Sequence, residues 1–251
     1  MSNQKGVTLI ELLIVLVISV IVIGGVYKVF INQTRAYTVQ DQVAEVQQDV
    51  RGAMEIMVRD IRMAGFQTNT FAVTNPAGSG LITTGGIVVN PANNSSITLN
   101  YQYIPPTDPT CGTPNCVEYN VQYILVNAVS SACPNPPCLQ RTCTSTPLVA
   151  TVPQCSGNQD ILLTNVTTLN FGYGIDANDD GIIDGIVDGV IPKAAFVSGA
   201  SVGTANVLAV QVTLAAKPTP ADPDVKTMVS PRTLTSVVTP RNIFFKRNQW
   251  K

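Results

Sequence analysis

The sequence contains no histidine, one tryptophan and few charged side chains. Charged residues make up 12% of the 251 residues, and the formal net charge is -1. The absence of histidine excludes catalytic sites that need an imidazole base and metal sites with histidine ligands. The near-neutral charge provides no basic surface for nucleic acid. Motifs of nucleophile elbows, P-loops and dinucleotide-binding turns are also absent, so we expect a protein that is not an enzyme.

One long apolar run lies close to the N-terminus. It extends from Gly6 to Ile31 after only five residues, and Glu11 is the single ionisable side chain between Val7 and Val26. A helix of roughly 20 apolar residues is long enough to cross the roughly 30 Å hydrocarbon core of a bilayer. The run therefore predicts a membrane-spanning helix.

Glu11 indicates more than an anchor. A carboxylate at membrane depth is costly and usually marks a site where a partner supplies the opposite charge. Lys5 lies on the other side of Gly6, and Lys28 is more than four turns away along the helix. Cleavage after Gly6 would create a new α-ammonium group on Val7, and Glu11 could then meet this group on an axially shifted neighbouring copy. We therefore regard Glu11 as the candidate assembly residue.

The segment from Gly6 to Leu12 (GVTLIEL), after its short basic leader, resembles the type III signal of type IV prepilins and pseudopilins. This resemblance implies that a prepilin peptidase cuts between Gly6 and Val7, that Val7 becomes N-methylated, and that Glu11 serves filament assembly. Val7 stands where phenylalanine is commonest in the family. A plain signal anchor is the alternative. An ordinary secretory signal fits less well, because its apolar core is only about 7 to 15 residues long.

The helical pattern continues beyond the apolar run. Apolar residues recur at steps of three and four from Val39 to Ala64, and polar residues fill the other faces, which is typical of an amphipathic helix packed on a core. Together the two parts predict one helix from about Val7 to Met63, about 85 Å long. Gly24-Gly25 is its predicted weak point. Gly65 is predicted to end it, because glycine accepts the left-handed cap conformation.

The rest of the chain predicts a β-rich head. Residues after position 67 are rich in Thr, Asn, Val, Gly and Pro, which favour short strands and long turns. The predicted strands are 86–90, 96–103, 117–126, 161–163, 166–173, 205–215, 227–229 and 233–238. A long helix followed by meandering strands indicates an α+β fold with an antiparallel sheet packed on the helix. The predicted organisation is a leader (1–6), a transmembrane half of the helix (7–31), an amphipathic half (32–66) and one head (67–251).

All six cysteines fall within residues 111–155. They are Cys111, Cys116, Cys133, Cys138, Cys143 and Cys155. An even number of cysteines behind an export signal predicts three disulfides in an oxidising compartment. The sequence does not choose among the pairings, although close spacing favours local loops between Cys111 and Cys116 and between Cys133 and Cys138, which leaves Cys143 with Cys155. A zinc cluster is the alternative, but four or more residues separate these cysteines where zinc knuckles have two.

An acidic loop follows the strand at 166–173. In the segment from Asp176 to Asp184 (DANDDGIID), oxygen-bearing side chains stand at positions one, three, five and nine, and glycine stands at position six. This spacing is typical of a Ca²⁺-binding loop. The predicted ligands are Asp176, Asn178, Asp180, the carbonyl of Ile182, and Asp184. Val187 stands where an EF-hand has glutamate, so the loop is EF-hand-like or dockerin-like. The alternative is a solvated Asp/Asn/Gly turn.

Later segments resemble one branch of the same family. The pattern from Val166 to Asp176, the segment at 205–217 (ANVLAVQVTLAAK) and the TPRN sequence at 239–242 are similar to PilW-type minor pilins and J-type pseudopilins. The resemblance implies a type IV pilin-like fold, with a disulfide-closed antiparallel head, and a minor pilin that primes a type IV pilus or sits at its tip. A J-type pseudopilin of a type II secretion system and a pilus-tip adhesin with Pro/Cys contact loops are the alternatives.

The same resemblance implies partners and a location. The partners would be major and minor pilins bound through the N-terminal helix, the prepilin peptidase, the inner-membrane assembly platform, and the lipid bilayer before assembly. The chain would cross the cytoplasmic membrane once, with its head outside the cytoplasm, and would later reach the pilus at the cell surface.

Overall fold

The computed structural model describes residues 6–66, 82–84, 86–103, 117–146, 155–185, 195–203, 205–218 and 230–240. In this part of the chain one long helix precedes ten strands. The helix is α1 (Leu9–Met63). The strands are β1 (Ile82–Thr84), β2 (Ile87–Val89), β3 (Ile97–Tyr103), β4 (Val117–Val126), β5 (Cys138–Thr146), β6 (Ser156–Leu163), β7 (Val166–Asp176), β8 (Phe196–Val197), β9 (Asn206–Ala216) and β10 (Arg232–Val238). A short 3-10 turn, Gly199–Ser201, lies between β8 and β9.

Helix α1 confirms the predicted single long helix. It continues through Gly24 and Gly25 without a break. Gly65 follows its C-terminus with φ of 74°, which is the left-handed conformation predicted for the residue that ends the helix. A Cβ atom on Gly86 would collide with the backbone nitrogen of Gly65. The turn before β2 can therefore approach the end of the helix because residue 86 is glycine.

The strands form two antiparallel sheets. The first has six strands in the order β1-β2-β3-β4-β5-β6, and the second has four strands in the order β10-β9-β7-β8. The expectation of a long helix on antiparallel β-structure is confirmed, but the sheet is divided in two where one sheet was predicted. Asn94, in the turn between β2 and β3, joins the two sheets: its carbonyl accepts from the Phe171 N–H, and its side chain accepts from the Gly199 N–H.

The core lies between α1 and the inner faces of both sheets. The largest fully buried side chains include Met57 and Ile61 of α1, Tyr123 of β4, and Phe171 and Tyr173 of β7. The helix contributes to this core only from Val46 onwards. Strand β4 alternates buried and exposed side chains over most of its length, which is the pattern of a strand with one face on a core. Packing thus fixes the second half of α1 and leaves its first half projecting from the head.

Strand β5 is absent from the sequence prediction. Its residues read CLQRTCTST, and Gln140 and Ser145 are buried although they are polar. Because both polar and apolar side chains of this strand face inwards, it lacks the alternation that indicates a half-buried strand. The predicted strand at 227–229 lies outside the described residues.

Candidate functional site

Thr8 caps the N-terminus of α1. It has extended backbone angles, and its Oγ1 accepts a hydrogen bond of 3.4 Å from the backbone N–H of Glu11. The sequence Thr8-Leu9-Ile10-Glu11 has the spacing of a capping box, a signal that our sequence analysis did not use. Glu11 therefore contributes to the start of the helix as its third residue, and its negative charge is favourable beside the positive end of the helix dipole.

The carboxylate of Glu11 has no hydrogen-bond or ion-pair partner among the described residues. The neighbouring polar side chain in the apolar run, Ser19, is satisfied within the helix, because its Oγ donates to the carbonyl of Val15 at 2.7 Å. Thr34 and Thr38 make the same type of bond further along, with the carbonyls of Phe30 and Thr34. The Glu11 carboxylate therefore has no partner among the described residues, whereas the Ser and Thr hydroxyl groups of the same helix bond to its backbone.

The first half of α1 exposes its apolar side chains on all faces. Every Val, Leu, Ile and Phe between Val7 and Phe30 is exposed, with fractions that range from 48% for Val17 to 83% for Leu9. By length and composition α1 is able to cross a membrane, and none of its most apolar stretch is buried against the head. Apolar surface on this scale marks a segment that meets lipid or other protein chains.

The second half of α1 contains a buried acidic residue that no pattern in the sequence indicates. Asp60 is 3% exposed. Its Oδ2 accepts 2.6 Å from the hydroxyl of Tyr123 and 2.9 Å from Nε of Arg141. A Tyr and an Arg directly paired across β4 and β5 therefore converge on one carboxylate of the helix.

Burial and the contact with Asp60 change the pKa values of Tyr123 and Arg141. Burial raises the pKa of Tyr123, and the adjacent Asp60 charge and hydrogen bond raise it further. Burial disfavours the charged form of Arg141, but the hydrogen bond and charge of Asp60 outweigh this effect and raise its pKa. The Tyr123 phenol is therefore neutral and the Arg141 guanidinium is charged while both donate to the Asp60 carboxylate. These two contacts attach the helix to the first sheet.

The described residues contain two of the three predicted disulfides. Cys133 is bonded to Cys138 and Cys143 is bonded to Cys155, in agreement with the pairings that close spacing favours. The first bond closes the loop between β4 and β5, and the second joins β5 to the start of β6. Cys111 and Cys116 lie outside the described residues. The four described cysteines thus form disulfides and not a zinc cluster.

The acidic loop is a compact turn at the end of β7. Asp176, 1% exposed, accepts from the backbone N–H groups of Asp180 and Gly181 at 3.1 and 2.9 Å. Asp184 accepts from the N–H of Ala177, and Asp180 accepts from the N–H of Ile182. The loop is anchored by Ile183, which is buried against Leu208 and Ala209.

In this arrangement the side chains predicted to bind calcium accept hydrogen bonds from backbone N–H groups of the loop itself. No three acidic or cysteine side chains of the described residues lie close enough together to hold a metal ion. Gly181, with φ of 90°, makes the sharp turn that the sequence predicts at position six. The side chains would have to exchange their backbone partners for an ion, so the calcium site remains a prediction.

Comparisons with known proteins identify the N-terminus. A family model described as the prokaryotic N-terminal methylation motif matches residues 1–27. No curated protein sequence matches the chain. A type IV-like pilin from Thermus thermophilus is similar in structure with a TM-score of 0.38 and 10% sequence identity, over 78% of this chain and 96% of that protein; a likeness this weak adds nothing to the argument. The first 27 residues therefore match a prokaryotic N-terminal methylation motif, in agreement with their resemblance to type IV prepilins.

Proposed function

We propose that this chain is a minor pilin, a structural subunit that primes a type IV pilus or sits at its tip. One observation carries the proposal: residues that match the methylation motif begin a helix whose apolar first half is exposed in the part of the chain that the structure describes. A signal that served only export would not require that a 55-residue helix continue from it into the head. A subunit that leaves the membrane for a filament requires this continuity, because the same apolar surface must serve lipid first and neighbouring helices later.

In this proposal the prepilin peptidase cuts between Gly6 and Val7, and the new N-terminus of Val7 is methylated. The carboxylate of Glu11 then pairs with the terminal ammonium group of a neighbouring subunit. Its lack of a partner within the described chain supports this role. Pairing of opposite charges is strongly favoured in apolar surroundings, where an isolated charge is costly.

The first test is the mass and N-terminal residue of the mature protein. The proposal expects a chain that begins at N-methylated Val7 and contains three disulfides. A mature chain that still begins at Met1 would overturn the proposal and leave a tethered ectodomain.

Glu11 requires a test that separates its charge from its part in the helix cap. Glu11→Gln keeps a side chain that can hydrogen-bond at the third helical position but removes the charge. We expect this variant to enter the membrane and be cleaved normally, but to be strongly depleted in sheared filaments. Glu11→Asp, which keeps the charge on a shorter side chain, is the matched control and should recover part of the incorporation. Wild-type recovery of Glu11→Gln in filaments would refute the pairing.

Two alternative functions use the same N-terminal helix. One differs in the assembly that the chain joins, and the other differs in the surface that the head contacts. A J-type pseudopilin would assemble in a type II secretion system, and deletion of the gene would then stop protein secretion while pili remain. A tip adhesin would present the loop between β4 and β5 to a surface; this loop contains the Cys133–Cys138 disulfide, and its Val129 is 75% exposed. Loss of binding without loss of pili on removal of this loop would favour the adhesin.

We also propose Ca²⁺ as a ligand of the acidic loop, on the strength of the spacing of its oxygen side chains from Asp176 to Asp184. Titration calorimetry of the full chain in detergent would measure binding. We expect heat at millimolar Ca²⁺ that is lost in Asp180→Ala and retained in Asp160→Ala, an exposed acid outside the loop. Equal heats for both variants, or none for the wild type, would remove the site.

A further inference from the structure

A groove lies between the second half of α1 and the start of β10. Its volume is about 390 Å³, within the range of roughly 300–1,000 Å³ that is typical of ligand sites. The helix contributes Gln47, Val50 and Arg51 to its lining, and the strand contributes Arg232, Thr233 and Leu234. Val50 is buried and Leu234 is half-buried, whereas the four polar side chains are exposed. The groove thus combines an apolar base with a polar, cationic rim.

The two arginines of the groove have no anionic partner in the described part of the chain. Neither guanidinium group forms an ion pair or a hydrogen bond with another described residue. No acidic side chain is among the described residues of the lining, and Glu55, one helical turn beyond Arg51, does not reach it. Like charges on the two walls of one groove repel each other, so an anion between them is stabilising. The planar guanidinium fork is suited to a carboxylate.

Strand β10 forms one edge of the four-stranded sheet. Among the described strands only β9 pairs with it. The backbone N–H and C=O groups of an edge strand can pair with an extended chain. Arg232 and Leu234 are two residues apart and therefore face the same side of the sheet, towards α1. Every second side chain of a segment beside β10 would face this side too, where both arginines lie.

We propose that the groove is a docking site for an extended acidic segment of a partner protein. The segment adds to the unpaired side of β10, places carboxylates against Arg51 and Arg232, and packs an apolar side chain on Val50 and Leu234. The two cations require an acidic partner, and the strand edge requires an extended one. This inference goes beyond the proposed function and does not depend on it, because the groove lies outside the N-terminal motif.

Other occupants fit the groove less well. Arg51 is 20 residues, or about 30 Å, beyond the end of the apolar run at Ile31. Attraction to a membrane surface extends only about one Debye length, roughly 8 Å at physiological salt. Nucleic acid needs a broad basic surface, whereas the formal net charge of the chain is -1. The chain's own segment at 241–251 has four cationic side chains and no acidic one, so the two arginines would repel it.

Fluorescence anisotropy of a dye-labelled peptide measures binding to the full chain in a nonionic detergent. The probe is Glu-Thr-Leu-Thr-Glu with an amidated C-terminus, and Gln replaces both Glu in its neutral counterpart. We expect the acidic peptide to bind at least about tenfold more tightly, because it alone pairs with both guanidinium groups. Arg51→Gln and Arg232→Gln should each weaken its binding about threefold. Arg59→Gln, at an exposed arginine of α1 that does not line the groove, is the matched control and should leave the affinity unchanged.

Reversal of both charges gives the decisive variant. Arg51→Glu combined with Arg232→Glu should lose the acidic peptide and bind the counterpart in which Lys replaces both Glu. A misfolded chain would bind neither peptide, so this exchange of preference identifies charge recognition. N-methylation of the peptide tests the pairing with β10. Because alternate residues of a strand direct their N–H groups to the same side, one of the two alternately methylated peptides should lose binding to the wild-type chain.

The outcomes distinguish a partner segment from other ligands. No binding of the acidic peptide up to about 1 mM, or equal affinity for the neutral peptide, overturns the site. Tighter binding of inorganic phosphate or of a single-stranded DNA hexanucleotide also overturns it. Equal affinity of both methylated peptides overturns the pairing with β10. If Asp222→Asn combined with Asp224→Asn strengthens peptide binding at least about tenfold, the ligand is the chain's own acidic segment and not a partner. None of these results bears on cleavage after Gly6 or on entry into filaments, so the pilin proposal is tested separately.

Discussion

The two halves of α1 differ in what covers their apolar side chains. From Val7 to Phe30 the apolar residues are exposed on every face, whereas from Val46 to Ile61 they are buried on one face against the sheets. The first half thus has no partner in the described head and needs lipid or other helices. The second half is part of the head's own core. A single continuous helix therefore carries two apolar surfaces with different roles. Substitutions in the two halves should show their effects in different assays.

The largest effect on stability should come from Asp60, the buried acid of the second half. Asp60→Ala leaves Arg141 and Tyr123 without their shared carboxylate, so we expect a loss of about 3–5 kcal/mol in the free energy of unfolding. Urea unfolding of the full chain in detergent, followed by circular dichroism, measures it. The exposed Asp49→Ala is the matched control and should change stability by less than about 0.5 kcal/mol.

Replacement of both charged partners sharpens this prediction. Asp60→Leu combined with Arg141→Met leaves no uncompensated buried charge, so it should cost less than Asp60→Ala. A double variant that is less stable than the single variant would show that the cluster contributes through its charges and not merely by satisfying each partner.

Matched truncations in the two halves test the comparison directly. Met57→Ala opens a cavity in the core and should cost about 2–5 kcal/mol. Val17→Ala, at a side chain 48% exposed, should leave the unfolding of the detergent-solubilised head within about 0.5 kcal/mol of the wild type. Equal losses in the two variants would mean that the apolar half packs on the head after all.

The smallest effect is expected at Tyr173, whose buried hydroxyl has no hydrogen-bond partner in the described structure. Tyr173→Phe loses no hydrogen bond, so the stability of this variant at pH 7 should be unchanged or slightly higher.

Burial raises the Tyr173 pKa above its ordinary value of 10.0. The unfolded chain therefore ionises first, and the wild type loses stability as pH rises above about 10. The Phe variant should lose less stability between pH 9 and pH 11, measured by urea unfolding. Identical pH profiles would contradict the burial of an un-ionised phenol at this position.

The sequence predicted the helix and most strands because their patterns are local. The apolar run, the three-and-four spacing and the glycine at position 65 each depend on neighbouring residues, and so does the alternation in β4. The disulfide pairs at Cys133–Cys138 and Cys143–Cys155 are also short-range. Spacing alone therefore favoured the pairings that the structure contains.

The sequence did not predict features that depend on distant residues. In the sequence, Asp60 is one of several polar residues of an amphipathic helix. Its partner Arg141 lies 81 positions later, so only the folded structure shows that the two side chains are in contact. Strand β5 has buried polar side chains whose partners come from other elements, so its pattern resembles a loop. The division into two sheets depends on strand pairing between β7 and β9, which no local pattern specifies. The roles of Gly6 and Val7 stay predictions until the mature N-terminus is sequenced, and the role of Glu11 until its variants are measured in filaments.

The junction after α1 shows where mechanical tension would enter the head. Beyond the last turn, the Gly65 N–H donates to the carbonyl of Asn100 at 2.9 Å, and the carbonyl of Phe66 accepts from the Gln102 N–H at 3.0 Å. The chain thus leaves the helix as an extra partner of β3, a central member of the six-stranded sheet. If the chain enters a filament as we propose, a pull on the helix would be shared through β3 with its hydrogen-bonded neighbours, and the two sheet regions would resist stretching together.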